Sequence, residues 1–246
     1  MNMPSDQSSQ TARGGKVLYG APLGILMLEA RFARIPGDMG NAETWPFPVL
    51  YRVIRGADPE RVVRNGAAGL LDAFIDGAKD LVDLGAEALT TNCGFLSIFQ
   101  NQISAAVGVP VATSSMMQVP WVQSLLAPGK RPGIVSISSA TVTDAHLDAI
   151  NVLRDTPLEG TDEDGEFFRV IVRAEKPDLD VAQARTDVIN AARRLTEKHP
   201  DVGAIILECT NMAPYARDVS EATGLAVFDI YSLTNWLHAG IRPRRF

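Results

Sequence analysis

The sequence predicts an α/β protein of two pseudo-twofold-related lobes from an internal duplication, each a parallel sheet of about four strands flanked by helices. Three observations predict it. Short Val/Ile/Leu runs alternate with helical stretches, the pattern of parallel strands covered on both faces. Two of these runs, "LGAEALTTNC" and "DVGAIILEC", each end at a cysteine, Cys93 and Cys209, the only two in the chain. The segments around them share an offset of 116: Gly108 with "VPVA" follows the first as Gly224 with "LAVF" follows the second.

The elements follow in order. In the first half, strands are expected near 16–21, 49–55, 86–91 and 109–113, and helices over 59–84, 94–107 and 117–126. In the second, strands are expected near 133–138, 167–173, 203–208 and 225–230, and helices over 142–154, 178–198, 210–222 and 232–239. The duplication maps "KVLYGAPLG" (16–24) onto "PGIVSISSA" (132–140), and "LYRVIRGADPE" (50–60) onto "FFRVIVRAEKPD" (167–178) at an offset of 117. Turn residues in "LAPGKRPG" (126–133) place the boundary between a first lobe over 16–127 and a second over 128–246. Periodicity leaves open whether the last helix of each half packs on its own lobe or crosses to the other.

Composition bounds the function. A chain of 246 residues, 46% apolar and 21% charged, buries a core without staples. The net charge of −6 and pI near 5.1 argue against nucleic acid or an anionic membrane as partner. Residues 1–15 are polar and lack a signal-peptide core, so they read as a flexible leader on a cytoplasmic protein. The cysteines lack zinc spacing, and free thiols are expected. No G-x-G-x-x-G follows the first strand, which argues against a nicotinamide cofactor.

Ligands of such sheets bind beyond the carboxyl ends of the strands, where both cysteines sit. Lobes meeting there would put the two thiols on opposite walls of one cleft. The N–H groups of the helix after each cysteine favour a thiolate and can hold a carboxylate. Glu208, if it points inward, raises the pKa of Cys209 and keeps it a thiol. Burial as plain apolar filler is the alternative for either cysteine alone.

These residues, "TNCGF" and "ECTN" with "SISSAT" opening the second half, resemble the aspartate/glutamate/hydantoin racemase superfamily over nearly the whole chain after residue 15. The resemblance implies a racemase or epimerase of a small carboxylate or cyclic amide that needs neither pyridoxal phosphate nor metal. Cys93 and Cys209 would act as the two bases, flanked by Asn92, Gly94, Phe95, Thr210 and Asn211. Ser138, Ser139 and Thr141 match the family's hydroxyl-bearing turn, and Pro22 and Gly24 occupy the turn after the first strand. Family racemases carry Asn-Thr after the first cysteine; Gly94 and Phe95 here weigh against aspartate and glutamate themselves.

A decarboxylase of the superfamily keeps one such cysteine, and a cis–trans isomerase uses one as nucleophile. A non-catalytic binding module is the alternative from another class. A homo-oligomer is expected.

The stretch 29–48, "EARFARIPGDMGNAETWPFP", breaks the duplication and is a candidate lid. Arg34, Asp38, Asn41 and Thr44 would reach the cleft, and Trp45 and Phe47 would close it. "TDEDGE" (161–166) reads as a solvated turn, and His146, His199 and His238 show no metal-ligand spacing. Ser114, Ser115, Met116 and Met117 read equally as site lining or as core and cap.

Overall fold

A computed structural model describes residues 14–244, so most of the expected leader lies outside the described residues. Two four-stranded parallel sheets share one strand order. In the first, β1 (Leu23–Leu28) lies between β2 (Val49–Ile54) and β3 (Ala88–Thr91), with β4 (Val111–Ala112) outside β3. In the second, β5 (Arg131–Ser136) lies between β6 (Leu158–Gly160) and β7 (Val202–Leu207), with β8 (Ala226–Phe228) outside β7. The α/β class is as the sequence predicts.

Two strands fall elsewhere. The first begins at Leu23, not near residue 16, because Pro22 and Gly20 precede it and Pro22 only accepts, through its carbonyl, from Glu87 and Ala88. The run 167–173 is a helix, α6 (Glu166–Ile171), and not a strand. Asp187 accepts the Phe167 N–H at 3.0 Å, and Phe167, Phe168, Val170 and Ile171 are all buried. A short apolar run gives no periodicity to separate the two states. The strand beside β5 is instead the three residues of β6, too short to stand out. The pairing of 50–60 with 167–178 therefore fails, a strand against a helix, and the correspondence of 16–24 with 132–140 is out of register.

The helices obey local rules. Residues 59–84 form two: α1 (Pro59–Arg64), capped by Asp58, and α2 (Leu71–Leu84). Between them Gly66, Ala67 and Gly69 take positive φ, which no helix continues through. Helix α2 buries Phe74, Gly77, Ala78 and Leu81, one face at helical spacing, and stops at Gly85 with φ +129°. Three further helices are α3 (Gln100–Ala106), α4 (Val119–Leu125) and α5 (Asp144–Asp148). The long α7 (Val181–Lys198), capped by Asp180, covers the second sheet, followed by α8 (Ala216–Thr223) and α9 (Ile230–Ile241), whose Asp229 and Ser232 form a capping box.

The last helix of each half crosses over. Val119 and Val122 of α4 share an apolar cluster with Ile134, Ala204 and Ile206 of the second sheet. Ile230, Leu233 and Leu237 of α9 share one with Leu23, Ile25 and Ala88 of the first. This exchange ties the halves together with buried apolar side chains, each worth roughly 1.5–3 kcal/mol when fully buried.

Candidate active site

Strands β3 and β7 carry the two cysteines past their carboxyl ends. Cys93 and Cys209 each occupy the N-cap of a 3₁₀ helix, Gly94–Phe99 and Thr210–Tyr215. The strand ends are pinned alike: Asn92 N–H donates to Leu26 O at 3.0 Å, and Glu208 N–H to Val135 O at 2.8 Å. The Asn92 side chain accepts the Leu28 N–H at 2.7 Å. Across the halves, Thr210 Oγ1 donates to Asn92 O at 2.5 Å. Both thiols are unbridged and line the same cavity, together with Asn92, Phe95, Glu208 and Asn211.

That cavity is nearly closed. Its volume is about 20 Å³, room for about one water, and its walls are largely apolar: Leu28, Phe32, Val63, Ile137, Ile171 and Val172. Outside lies a vestibule of about 490 Å³. Ala30, Phe32, Pro59 and Val172 border both, so Phe32 and its loop stand between cavity and solvent.

Electrostatics departs from the sequence expectation of a ready thiolate. Burial pushes the Cys93 thiol up, the charge of Glu208 adds to this, and the N–H groups of Phe95 and Leu96 oppose it without winning. Burial raises Cys209 well above the ordinary thiol range, reinforced by Glu208, Cys93 and Asp38; the Asn211 N–H opposes. Glu208 does point inward. It is fully buried, and burial lifts its pKa to about 7 against hydrogen bonds from Ser136 Oγ (2.8 Å) and Ile137 N–H (3.3 Å), both to Oε2. Oε1 has no hydrogen-bond partner.

The stretch 29–48 divides in two. Arg34 lines the cavity, its guanidinium 4.5 Å from the Phe32 ring centre and paired to Asp38 at 2.8 Å. Asp38 is buried and accepts from the Asn211 side chain. Asn41 and Thr44 brace the loop through the Arg34 and Asp38 carbonyls. Trp45 and Phe47 do not close the cleft; they stack on Tyr231 and His238 of α9.

Other predicted residues scatter around this centre. Gly94 is buried against the Glu208 carboxylate, where a Cβ would lie 2.2 Å from Oε1. Thr210 serves as the tie described above. Ser138, Ser139 and Thr141 do not line the cavity: Ser138 Oγ is buried without a partner, Ser139 lies against Gly160, and Thr141 Oγ1 donates to Ser138 O at 3.3 Å. Pro22 and Gly24 are not at the site. They stand at the opposite end of β1, Gly24 facing Leu81 and Leu89, and Glu29, Ala30 and Arg31 are the residues that follow the strand. Ile171 and Val172 line the cavity from the end of α6, a run that by sequence reads as a strand. Ser115 donates to Leu207 O at 2.6 Å and is a structural brace, and Met116 is core. Among the described residues no cluster of three or more His, Cys, Asp or Glu is placed to hold a metal, and no helix is long and apolar enough to cross a membrane.

Compared with known proteins, the chain matches no family model. It is 26% identical over 219 residues to a dimethylsulfoniopropionate lyase of Durusdinium sp. clade D, covering 85% of this chain and 71% of that protein. It is 25% identical over 249 residues to dimethylsulfoniopropionate lyase 7 of Emiliania huxleyi, covering 91% and 68%. Among solved structures, a variant of arylmalonate decarboxylase superposes with a TM-score of 0.60 at 15% identity, covering 89% of this chain and 93% of that one. Allantoin racemase from Klebsiella pneumoniae gives 0.61 at 16%, covering 89% and 88%, and a glutamate racemase from Bacillus anthracis 0.55 at 17%, covering 90% and 83%. The chain thus shares its two-sheet α/β fold with these decarboxylase and racemase structures.

Proposed function

We propose that the protein is a cofactor-independent lyase acting on a small carboxylate with a sulfonium group on its β-carbon, the substrate class of its lyase-named relatives. One observation carries the reading. A thiol backed by two N–H groups, Cys93, and a guanidinium, Arg34, line the same nearly closed, apolar cavity. The isomerase expected from the sequence becomes the second reading.

The chemistry needs one base. Arg34 holds the substrate carboxylate, and the Cys93 thiolate removes a proton from the carbon beside it. The electron pair forms the carbon–carbon double bond, the carbon–sulfur bond breaks, and its electrons leave on sulfur. The products are an unsaturated carboxylate and a neutral dialkyl sulfide, with the proton on Cys93. Apolar walls favour the step, because a cation poorly solvated there is converted into a neutral molecule. The Cys209 thiol donates to Asn211 Oδ1 at 3.6 Å, whereas Cys93 has only N–H groups, of Phe95 and Leu96, turned to its sulfur, so Cys93 is the base and Cys209 stays a thiol. A cavity with room for about one water admits such a substrate only after the Phe32–Arg34 loop moves outward.

The test is release of dimethyl sulfide from dimethylsulfoniopropionate, followed by gas chromatography. Cys93→Ala should lose on the order of 10²–10⁴ in rate, the usual share of a general base, and Cys209→Ala far less. No sulfide from the wild-type protein sinks the reading. The racemase alternative rests on both thiols lining one cavity. It requires deuterium exchange beside the carboxylate of an amino acid or hydantoin, impaired in both variants.

A further inference from the structure

The lyase reading leaves the buried Glu208 without a role. Glu208 is 0% exposed, at the end of an apolar strand, with one carboxylate oxygen held by Ser136 and Ile137 and the other, Oε1, unpartnered. A buried carboxylate with an idle oxygen costs stability, and nothing in the core requires it. Its position is specific. It lines the cavity that both thiols line, and the chain has a glycine at 94, where a Cβ would strike Oε1 at 2.2 Å.

We propose that Glu208 is the proton acceptor that generates the catalytic thiolate: Oε1 takes the proton of a cavity thiol, leaving a neutral acid beside a thiolate. This rests on the reading that a thiolate is the base. The step balances without any further reactant. The S–H bond breaks, its electron pair stays on sulfur, and an O–H bond forms on Glu208. After the thiolate has taken the substrate proton, Glu208 releases its own proton to solvent when the site opens, and the resting state returns.

Burial is the larger cause of the raised thiols and persists; the transfer removes the second cause. Both thiols are raised partly by the charge of Glu208, and that contribution vanishes once the carboxylate is neutral. The N–H groups of Phe95 and Leu96 then hold the sulfur of Cys93. The other charged or titratable groups at the cavity are few. Arg34 lines it from the 29–48 stretch and is already paired with Asp38 behind it; Cys93 follows β3, and Cys209 follows β7. Ser136 and Ile137 of β5 contribute only hydrogen bonds. Glu208 titrates at about 7, so the thiolate pair becomes available as pH rises through that value rather than at the alkaline pH of a buried thiol.

The experiment is the pH dependence of iodoacetamide alkylation of Cys93, read by peptide mass spectrometry on wild-type protein and Glu208→Gln. It needs no substrate, so it stands or falls separately from the lyase reading. Wild type should show a rise with an inflection near 7. Glu208→Gln should lose that inflection and react at least about tenfold more slowly at pH 7.5, a factor equal to one pKa unit. A carboxylate that only repels the thiolate predicts the reverse, since its removal would speed alkylation, and that outcome overturns the proposal. Should the variant not fold, the wild-type profile decides: a single alkaline rise with no inflection near neutrality overturns it.

Discussion

Thr210 donates its hydroxyl to the backbone carbonyl of Asn92 at 2.5 Å, joining the residue after one cysteine to the residue before the other. Both are buried, and the bond ties together the two strand ends that carry the thiols. Thr210→Val keeps the shape and removes the donor. It should cost about 1–3 kcal/mol, as for other buried acceptors left unpaired, measured by urea denaturation. Activity should fall by more than the folded fraction does, because a small misplacement of reacting groups is costly.

Arg34 is held between the Phe32 ring and Asp38 at the cavity wall. Arg34→Lys retains the charge but loses the planar fork that stacks and bonds at once. KM for the sulfonium carboxylate should rise by about tenfold or more, corresponding to roughly 1.4 kcal/mol of binding, with a smaller change in kcat. An unchanged KM would remove Arg34 from the carboxylate site.

Gly94 gives its missing side chain to Glu208. A Cβ there would meet Oε1 at 2.2 Å and the Glu208 carbonyl oxygen at 2.5 Å, and the second contact is backbone that cannot swing away. Gly94→Ala should destabilise by about 1–3 kcal/mol as an overpacked site, read as a lowered Tm.

Glu208 makes stability depend on pH with a definite sign. Its folded pKa, about 7, lies above the ordinary 4.5, so the folded state holds a proton that the unfolded state has released between those values. The stabilisation is complete below about 4.5, shrinks as pH rises, and is gone above about 7; it is on the order of 3 kcal/mol. Glu208→Gln stays neutral throughout. Relative to wild type it should therefore gain stability by that order between pH 4.5 and 8, in parallel urea titrations. Parallel curves would show that Glu208 does not titrate there.

The sequence by itself determined the fold class and the pairing of the thiols. Periods of apolar strand and amphipathic helix, and the common offset at 93 and 209, are local signals that survive without tertiary contacts. The family resemblance set Asn92, Phe95 and Asn211 beside the cysteines, and all three line the cavity, because residues adjoining a strand end travel with it. Only the tertiary structure decided the rest. The start of β1 depended on which residues pair with β3, and this moved Pro22 and Gly24 away from the site. Helix or strand at 166–171 was set by Asp187, about twenty residues on, and this brought Ile171 to the cavity wall. The charge state of the thiols was beyond local reading for the same reason. A helix N-terminus favours thiolate wherever it occurs, but the opposing desolvation and the field of Glu208 exist only once both lobes have closed around them.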